Sequence, residues 1–204
     1  MPKITDDHRA ERRRQIGNAA LRCFSRKGFE GTSMSDIIAE SGLSAGAIYI
    51  HYKNKQDLVR YVVSDVLQGR SNDLMGLAAL DPLPHPAEVV RRFVTEMTSE
   101  LGGAGILVQV WAIAAREPEL AGMITEFIGE LRRLYARYFA AWFRQCGLDG
   151  GAADARAAAI VPVIVGICQG YVLQEAIVPG FEPDQYLDAV ALLDFAAVPP
   201  GSGH

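Results

Sequence analysis

The stretch GFEGTSMSDIIAESGLSAGAIYIHYKNKQDL, residues 28–58, decides how this chain is read. It holds two short helical patterns separated by a glycine. Ser33 and Asp36 stand at capping-box spacing, with Asp in place of the commoner Glu. Met34, Ile37 and Ile38 then give the following helix an inner face. Gly42 permits a left-handed turn, because that backbone conformation costs a glycine nothing. Ser44 can cap a third helix through about Tyr52, and Asn54, with Asp57 three residues on, can cap a fourth that runs to Gly69 or a little beyond. Upstream, Ile16, Ala19, Ala20, Cys23 and Phe24 recur at i, i+3, i+4, i+7 and i+8, the apolar face of a first helix that Gly28 ends.

A helix, a glycine turn and a second helix rich in small and aromatic residues form a unit suited to the major groove of double-stranded DNA, which admits one helix and displays a readable code of base edges. Ser44, Ala45, Gly46 and Ala47 are small enough to let backbone approach phosphate, while Tyr49, His51, Tyr52 and Lys53 supply reach. Ile48 faces back toward Ile37 and Ile38 and holds the angle between the helices. Thr32 and Ser33, with the helix N-terminus that follows them, can donate to one phosphate. Lys55 can pair with another. Taken singly, each of these residues has an ordinary explanation: a tyrosine in the core, a surface imidazole, solvated lysines. The constellation directly after a glycine turn is what points to DNA.

Charge supports that reading once it is divided. Residues 1–60 carry eleven Lys/Arg against seven Asp/Glu, a balance of +4, while the remainder carries nine against seventeen, a balance of −8. A basic head on an acidic body is the asymmetry expected when one end meets phosphates. The longest strongly apolar run, Ala158–Cys168, is shorter than the roughly 18 residues of a membrane span, so no membrane partner is expected. The first residues, MPKITDDHRAERRR, lack the apolar core of a signal peptide. Three cysteines, Cys23, Cys146 and Cys168, suit reduced thiols in a cytoplasm. His8, His51, His85 and His204 lie far from one another and from the cysteines, so neither a metal nor a cofactor is expected.

Beyond residue 60 the pattern stays helical, and the fold class is all-α with about nine helices. DPLPHP, residues 81–86, is the clearest linker. The spacing predicts helices over about Ala87–Leu101 and Ile106–Arg116, separated by a glycine break at residues 102–105. Pro118 can start a long amphipathic helix that includes Leu120 to Cys146 and stops at Gly147–Gly151. A helix over about Ala153–Ile177, bent near Pro162, and a last one from Pro183 to about Ala197 complete the chain. The expected division is a helix-turn-helix unit over residues 1–55, a connecting fourth helix over 55–78, and a body over 79–204.

Residues from about Arg9 to Leu67 resemble the DNA-binding domain of the TetR family of bacterial transcriptional regulators. The matching positions are Ala20, Phe24, Gly28, Thr32, Ile37, Ala39, Gly42, Ser44, Gly46, Ile48, Tyr49, His51, Tyr52, Lys55 and Leu58. The resemblance implies that Thr32, Ser33, Ser44, Tyr49, His51, Tyr52 and Lys55 contact operator DNA, mostly its backbone. Tyr52 stands where phenylalanine is commoner, and Ile50 occupies a position that varies widely in the family. The body is similar, more weakly, to the group that includes the choline-responsive repressor of betaine synthesis. That likeness rests on Val110-Trp111, on residues 115–120 (AREPEL), on Val165-Gly166 and on residues 170–174 (GYVLQ). It implies related architecture and leaves the ligand open.

Two sites in the body follow as expectations. Val161, Val165, Cys168, Gln169 and Val172, then Tyr186, Leu187, Val190 and Leu193, form broad faces on the last two helices. The resemblance implies that these helices pair with their copies in a homodimer. A dimer is also required mechanically, because one recognition helix makes few base contacts whereas two span half-sites about 34–36 Å apart or a multiple of that. Phe93, Met97, Trp111, Phe127, Leu131 and Tyr171 are the candidates for a pocket holding an unknown small-molecule effector. Trp111 and Tyr171 could offer aromatic faces to a cation. The reading is thus a repressor that a ligand releases from its operator, with a ligand-independent or partner-controlled regulator, or a ligand-dependent activator, as alternatives. An enzyme is disfavoured: no GxSxG, HExxH, Walker loop or dinucleotide fingerprint occurs.

Overall fold

Three short elements at the N-terminus meet on one set of apolar side chains. The computed structural model describes residues 6–193 and 195, and among them the chain forms nine helices without a strand. Helix α1 (Asp6–Lys27) lays Ile16, Ala19, Ala20, Cys23 and Phe24, all buried, against Ile37 of α2 (Met34–Ser41) and Ile48 of α3 (Ala45–Tyr49). Met34 and Ile38, expected on the same inner face, are half-buried at its edge.

The local signals act as read. The Ser33 hydroxyl oxygen accepts from the Asp36 N–H at 3.1 Å, and the Asp36 carboxylate accepts from the Ser33 N–H at 2.8 Å, so the capping box closes with Asp. Gly42 takes φ +69°, the left-handed turn that reverses the chain between α2 and α3. Helix α3 stops earlier than Tyr52. The His51 N–H already bonds Ile48 O, a tightened turn that swings Tyr52 into the core.

Helix α4 (Lys55–Leu77) starts on an Asn54 cap whose Oδ1 accepts from the Asp57 N–H at 2.8 Å. It packs on α1, on α5 (Pro86–Glu100) and on α7 (Pro118–Gln145), and so belongs to both ends of the molecule. Arg70, a buried cation on α4, donates to Glu96 Oε2 at 2.6 Å and to Glu100 Oε1 at 2.5 Å on α5. A buried guanidinium needs such partners, since an uncompensated charge in the interior costs several kcal/mol. Two left-handed glycines, Gly102 and Gly103, bend the chain by 82° into α6 (Ala104–Ala114).

The body centres on the pairing of α7 with α8 (Gly150–Ile177), where Tyr135, Tyr138, Phe139 and Phe143 of α7 are fully buried. Helix α8 continues through Pro162, and its Asp149 cap starts it three residues before the expected Ala153. Helix α9 is Pro183–Ala191 and ends short of the expected Ala197: the Leu192 N–H bonds Ala189 O and the Leu193 N–H bonds Val190 O in a closing turn, and the tail after residue 195 lies outside the described residues. By length and composition α8 passes as a helix able to cross a bilayer, with mean hydropathy 1.7 over 18 residues, although its uninterrupted apolar run, Ala158–Cys168, is short. Here it packs against α5, α6, α7 and α9.

Candidate nucleic-acid interface and effector cavity

The turn after Gly42 puts one side of α3 on the outside of the molecule. Ser44, Ala45, Gly46, Tyr49, Ile50 and Lys53 are exposed there, with Ala47 and His51 half-buried beside them. Tyr49 keeps 49% of its surface accessible and Ile50 keeps 82%. The Ser44 hydroxyl oxygen accepts from the Ala47 N–H at 3.3 Å and orients the start of the helix. His51 is held below its usual pKa, first by partial burial and then by Arg13, Arg9 and Arg12, so its imidazole is neutral at physiological pH.

Three residues expected to reach outward are committed to the fold instead. Tyr52 is 2% exposed, tilted against Tyr61 with ring centroids 5.4 Å apart, and its hydroxyl accepts from Arg13 Nε at 3.4 Å. Burial raises that phenol to about 12. Thr32 is buried, and its hydroxyl bonds the Gly28 carbonyl at 2.7 Å with the Cys23 carbonyl at 3.2 Å, closing the end of α1. Lys55 Nζ donates to Phe29 O at 2.6 Å and Thr32 O at 2.9 Å, and lies 4.2 Å from the centroid of the Phe29 ring. These side chains shape the turn between α1 and α2. Ser33 is exposed, with its oxygen engaged in the cap of α2.

Beside the exposed side of α3 the structure sets the start of α1 instead. His8, Arg9, Arg12 and Arg13 line a groove with Ala47, Ile50 and His51 of the α3 region. Arg9, Arg12 and Arg13 stand at i, i+3 and i+4, so the helical spacing that revealed the apolar face of α1 carries this basic face as well. Other head cations are already paired: Arg22 and Arg26 with Glu40, and Lys27 with Asp36 at 2.6 Å. Lys27, followed by the Ser33 N–H and hydroxyl, holds the Asp36 carboxyl well below the usual carboxylate range.

Five of the six residues expected at an effector pocket, Phe93, Met97, Trp111, Phe127 and Leu131, line one apolar cavity of about 60 Å³ between α4, α5, α6, α7 and α8. Tyr171 does not. Its ring packs on Phe181 and Tyr186 with centroids 5.6 and 5.7 Å away. Val63, Val66 and Leu67 of α4 join the wall, which places the connecting helix directly against the cavity. No carboxylate belongs to this wall among the described residues; its polar groups are Gln169, the Cys168 thiol and the Trp111 indole. Burial pushes the Cys168 thiol up to about 12, so it stays neutral.

Val165, Cys168, Gln169 and Val172, expected at a dimer interface, therefore face this cavity, and Val161, Leu187 and Val190 are buried within the chain. Tyr186 is half-buried, with its hydroxyl donating to Ile167 O at 2.9 Å; of the expected set Leu193 is exposed and apolar. The outer side of α8 carries Val163, Gly166, Leu173 and Ile177, followed by Val178, and Leu192 follows α9. Most of the expected set is thus covered within the chain itself; apolar residues recur on several sides of α8, and periodicity alone cannot orient such a helix.

Residues 16–62 match the family model described as bacterial regulatory proteins, tetR family. Residues 16–62 therefore carry a TetR-family DNA-binding region. Its α1–α3 unit is the family's helix-turn-helix. Among curated relatives, the HTH-type transcriptional regulator YfiR of Bacillus subtilis is 39% identical over 62 residues, 30% of each chain. The HTH-type transcriptional repressor Rv1474c of Mycobacterium tuberculosis is 41% identical over 58 residues, 28% of this chain and 31% of the relative. The chain thus spans about a third of the length of these relatives. A regulator from Saccharomonospora viridis, solved in complex with choline, shares the fold with a TM-score of 0.68 at 18% identity, covering 89% of this chain and 94% of that one.

Proposed function

We propose that this chain is a sequence-specific, DNA-binding transcriptional regulator, a homodimer that releases its operator when a small molecule fills the body cavity. The observation that carries the first part is the exposed side of α3 set beside the Arg9–Arg12–Arg13 face of α1, a protruding helix flanked by cations. The helix-turn-helix unit is residues 1–55, the connector 55–78 and the body 79–204. The protein acts in a bacterial cytoplasm. The dimer forms through the outer side of α8 with the residues after α9, where Val163, Leu173, Ile177 and Leu192 leave apolar surface uncovered.

The cavity supports the ligand-controlled version over a regulator without a ligand. Its wall favours a neutral, largely hydrocarbon molecule: Phe93, Trp111 and Phe127 line it, and a cation would lose its hydration with no carboxylate in the wall to replace it. Choline, bound by the Saccharomonospora viridis regulator, is accordingly not carried over. Release follows from geometry. A molecule that enlarges the cavity presses on Val63, Val66 and Leu67, and α4 begins at Lys55, which holds the turn between α1 and α2. A ligand acts in this way only through unequal affinity for the two arrangements.

The test pairs gel shift on DNA selected from random duplexes with titration of neutral hydrocarbon ligands, followed through Trp111 fluorescence. Ligands that bind and weaken DNA affinity are expected. A ligand that binds with no change in DNA affinity would sink the switch.

A further inference from the structure

We infer that Ile50 determines operator sequence by reading the 5-methyl group of a thymine. This rests on the DNA-binding reading above. Between Ser44 and Ile50 the recognition helix and its caps, SAGAIYI, contain no Arg, Lys, Asn, Gln, Asp or Glu, the side chains that ordinarily hydrogen-bond base edges. The Ser44 hydroxyl is engaged in the cap, and Ile48 is fully buried. What this helix presents outward is therefore backbone, methyl groups, one phenol and the Ile50 side chain.

Ile50, the C-cap of the recognition helix, is 82% exposed, whereas Ile48 two residues before it is fully buried. It projects beside the groove lined by His8, Arg9, Arg12 and Arg13, so the cations that would grip phosphates sit alongside it. Among the four bases only thymine shows an apolar group in the major groove. Contact of the Ile50 side chain with that methyl removes hydrocarbon from water on both sides, and a cytosine or purine at the same place offers nothing equivalent.

The test uses the full chain and duplexes enriched from a random pool. Each thymine of the enriched site is replaced singly by deoxyuridine, which lacks only the 5-methyl group. The expected result is one thymine, at the same place in each half-site, where deoxyuridine weakens wild-type binding roughly fourfold, the factor for one buried methyl-sized group. Ile50→Ala is expected to bind the thymine and deoxyuridine duplexes equally, and Ile50→Leu to recover most of the preference. A uniform response to deoxyuridine in the wild type, or a preference that survives in Ile50→Ala, overturns the inference. Circular dichroism of Ile50→Ala, expected to match the wild type because the side chain is exposed, separates a lost contact from lost folding. Failure to enrich any sequence would overturn the DNA-binding reading itself.

Discussion

The side-chain carbonyl of Gln109 accepts the backbone N–H of Phe29 at 2.7 Å, a single hydrogen bond across 80 positions of sequence. It ties α6 to the turn after Gly28. That glycine, at φ +71°, lies close enough that an added Cβ would stand 3.3 Å from the same Gln109 oxygen. Helix α6 also contributes Leu107, Val110 and Trp111 to the cavity wall, so the element that feels a ligand holds the head directly as well as through α4. Gln109→Ala leaves the Phe29 N–H without its partner in a half-buried place. The expected cost is about 1–3 kcal/mol, or a fall in Tm of roughly 2–4 °C for each kcal/mol in a chain of this size. Calorimetry measures the loss. Gel shift with and without ligand should show DNA binding retained and the ligand response reduced.

Tyr49→Ala is expected to impair DNA binding while the oligomeric state stays unchanged, because Tyr49 is half-exposed on α3 and contributes nothing to α8 or α9. Loss of dimer in sedimentation would count against the interface.

Arg12→Ala separates phosphate grip from sequence reading. Its guanidinium bonds Gln15 Oε1 at 2.9 Å on the same helix, so its removal should leave the fold alone. Affinity should fall for all sequences alike, and the slope of log affinity against log salt should shrink by about 1. A change in preferred sequence would be the contrary outcome.

Val66→Phe fills part of a cavity of about 60 Å³ from the α4 side. Stability is expected to change by no more than the ~1–3 kcal/mol typical of added core volume, and DNA binding to persist. Ligand-induced quenching of Trp111 and ligand-induced release should both disappear. Persistence of release with the cavity filled would place the effector elsewhere.

Ile177→Glu tests the outer side of α8. Ile177 is 60% exposed in the monomer, so folding should be unaffected, while a carboxylate buried in a twofold contact meets its own copy. Analytical ultracentrifugation should find monomers, and DNA affinity should drop because one recognition helix remains. An intact dimer would move the interface away from this face.

The α1–α3 unit was legible because its signals are short in range. A capping box needs two residues three apart, a reversal needs Gly42, and the inner face needs only helical spacing. Tyr52 marks where that legibility stops. Its place beside Tyr49 and His51 is consistent with reach, and only the tightened turn at Ile48–His51 turns the ring under Tyr61 and Arg13. The Arg9–Arg12–Arg13 face follows the same helical spacing as its apolar counterpart, so it too is a local signal.

By itself, then, the sequence determined an all-α chain, its helix-turn-helix and its division of charge, since each depends on neighbours within a turn or two. The tertiary structure decided which side of α8 is interior. Apolar residues lie on several sides of that helix, so burial is set by whatever packs against it: α6 and α7 cover Val165, Cys168 and Val172 and leave Val163 and Ile177 bare. It likewise decided that Trp111 faces the cavity while Tyr171 joins Phe181 and Tyr186. A ring's surroundings are a property of helices brought together from distant parts of the chain, and no local pattern encodes them.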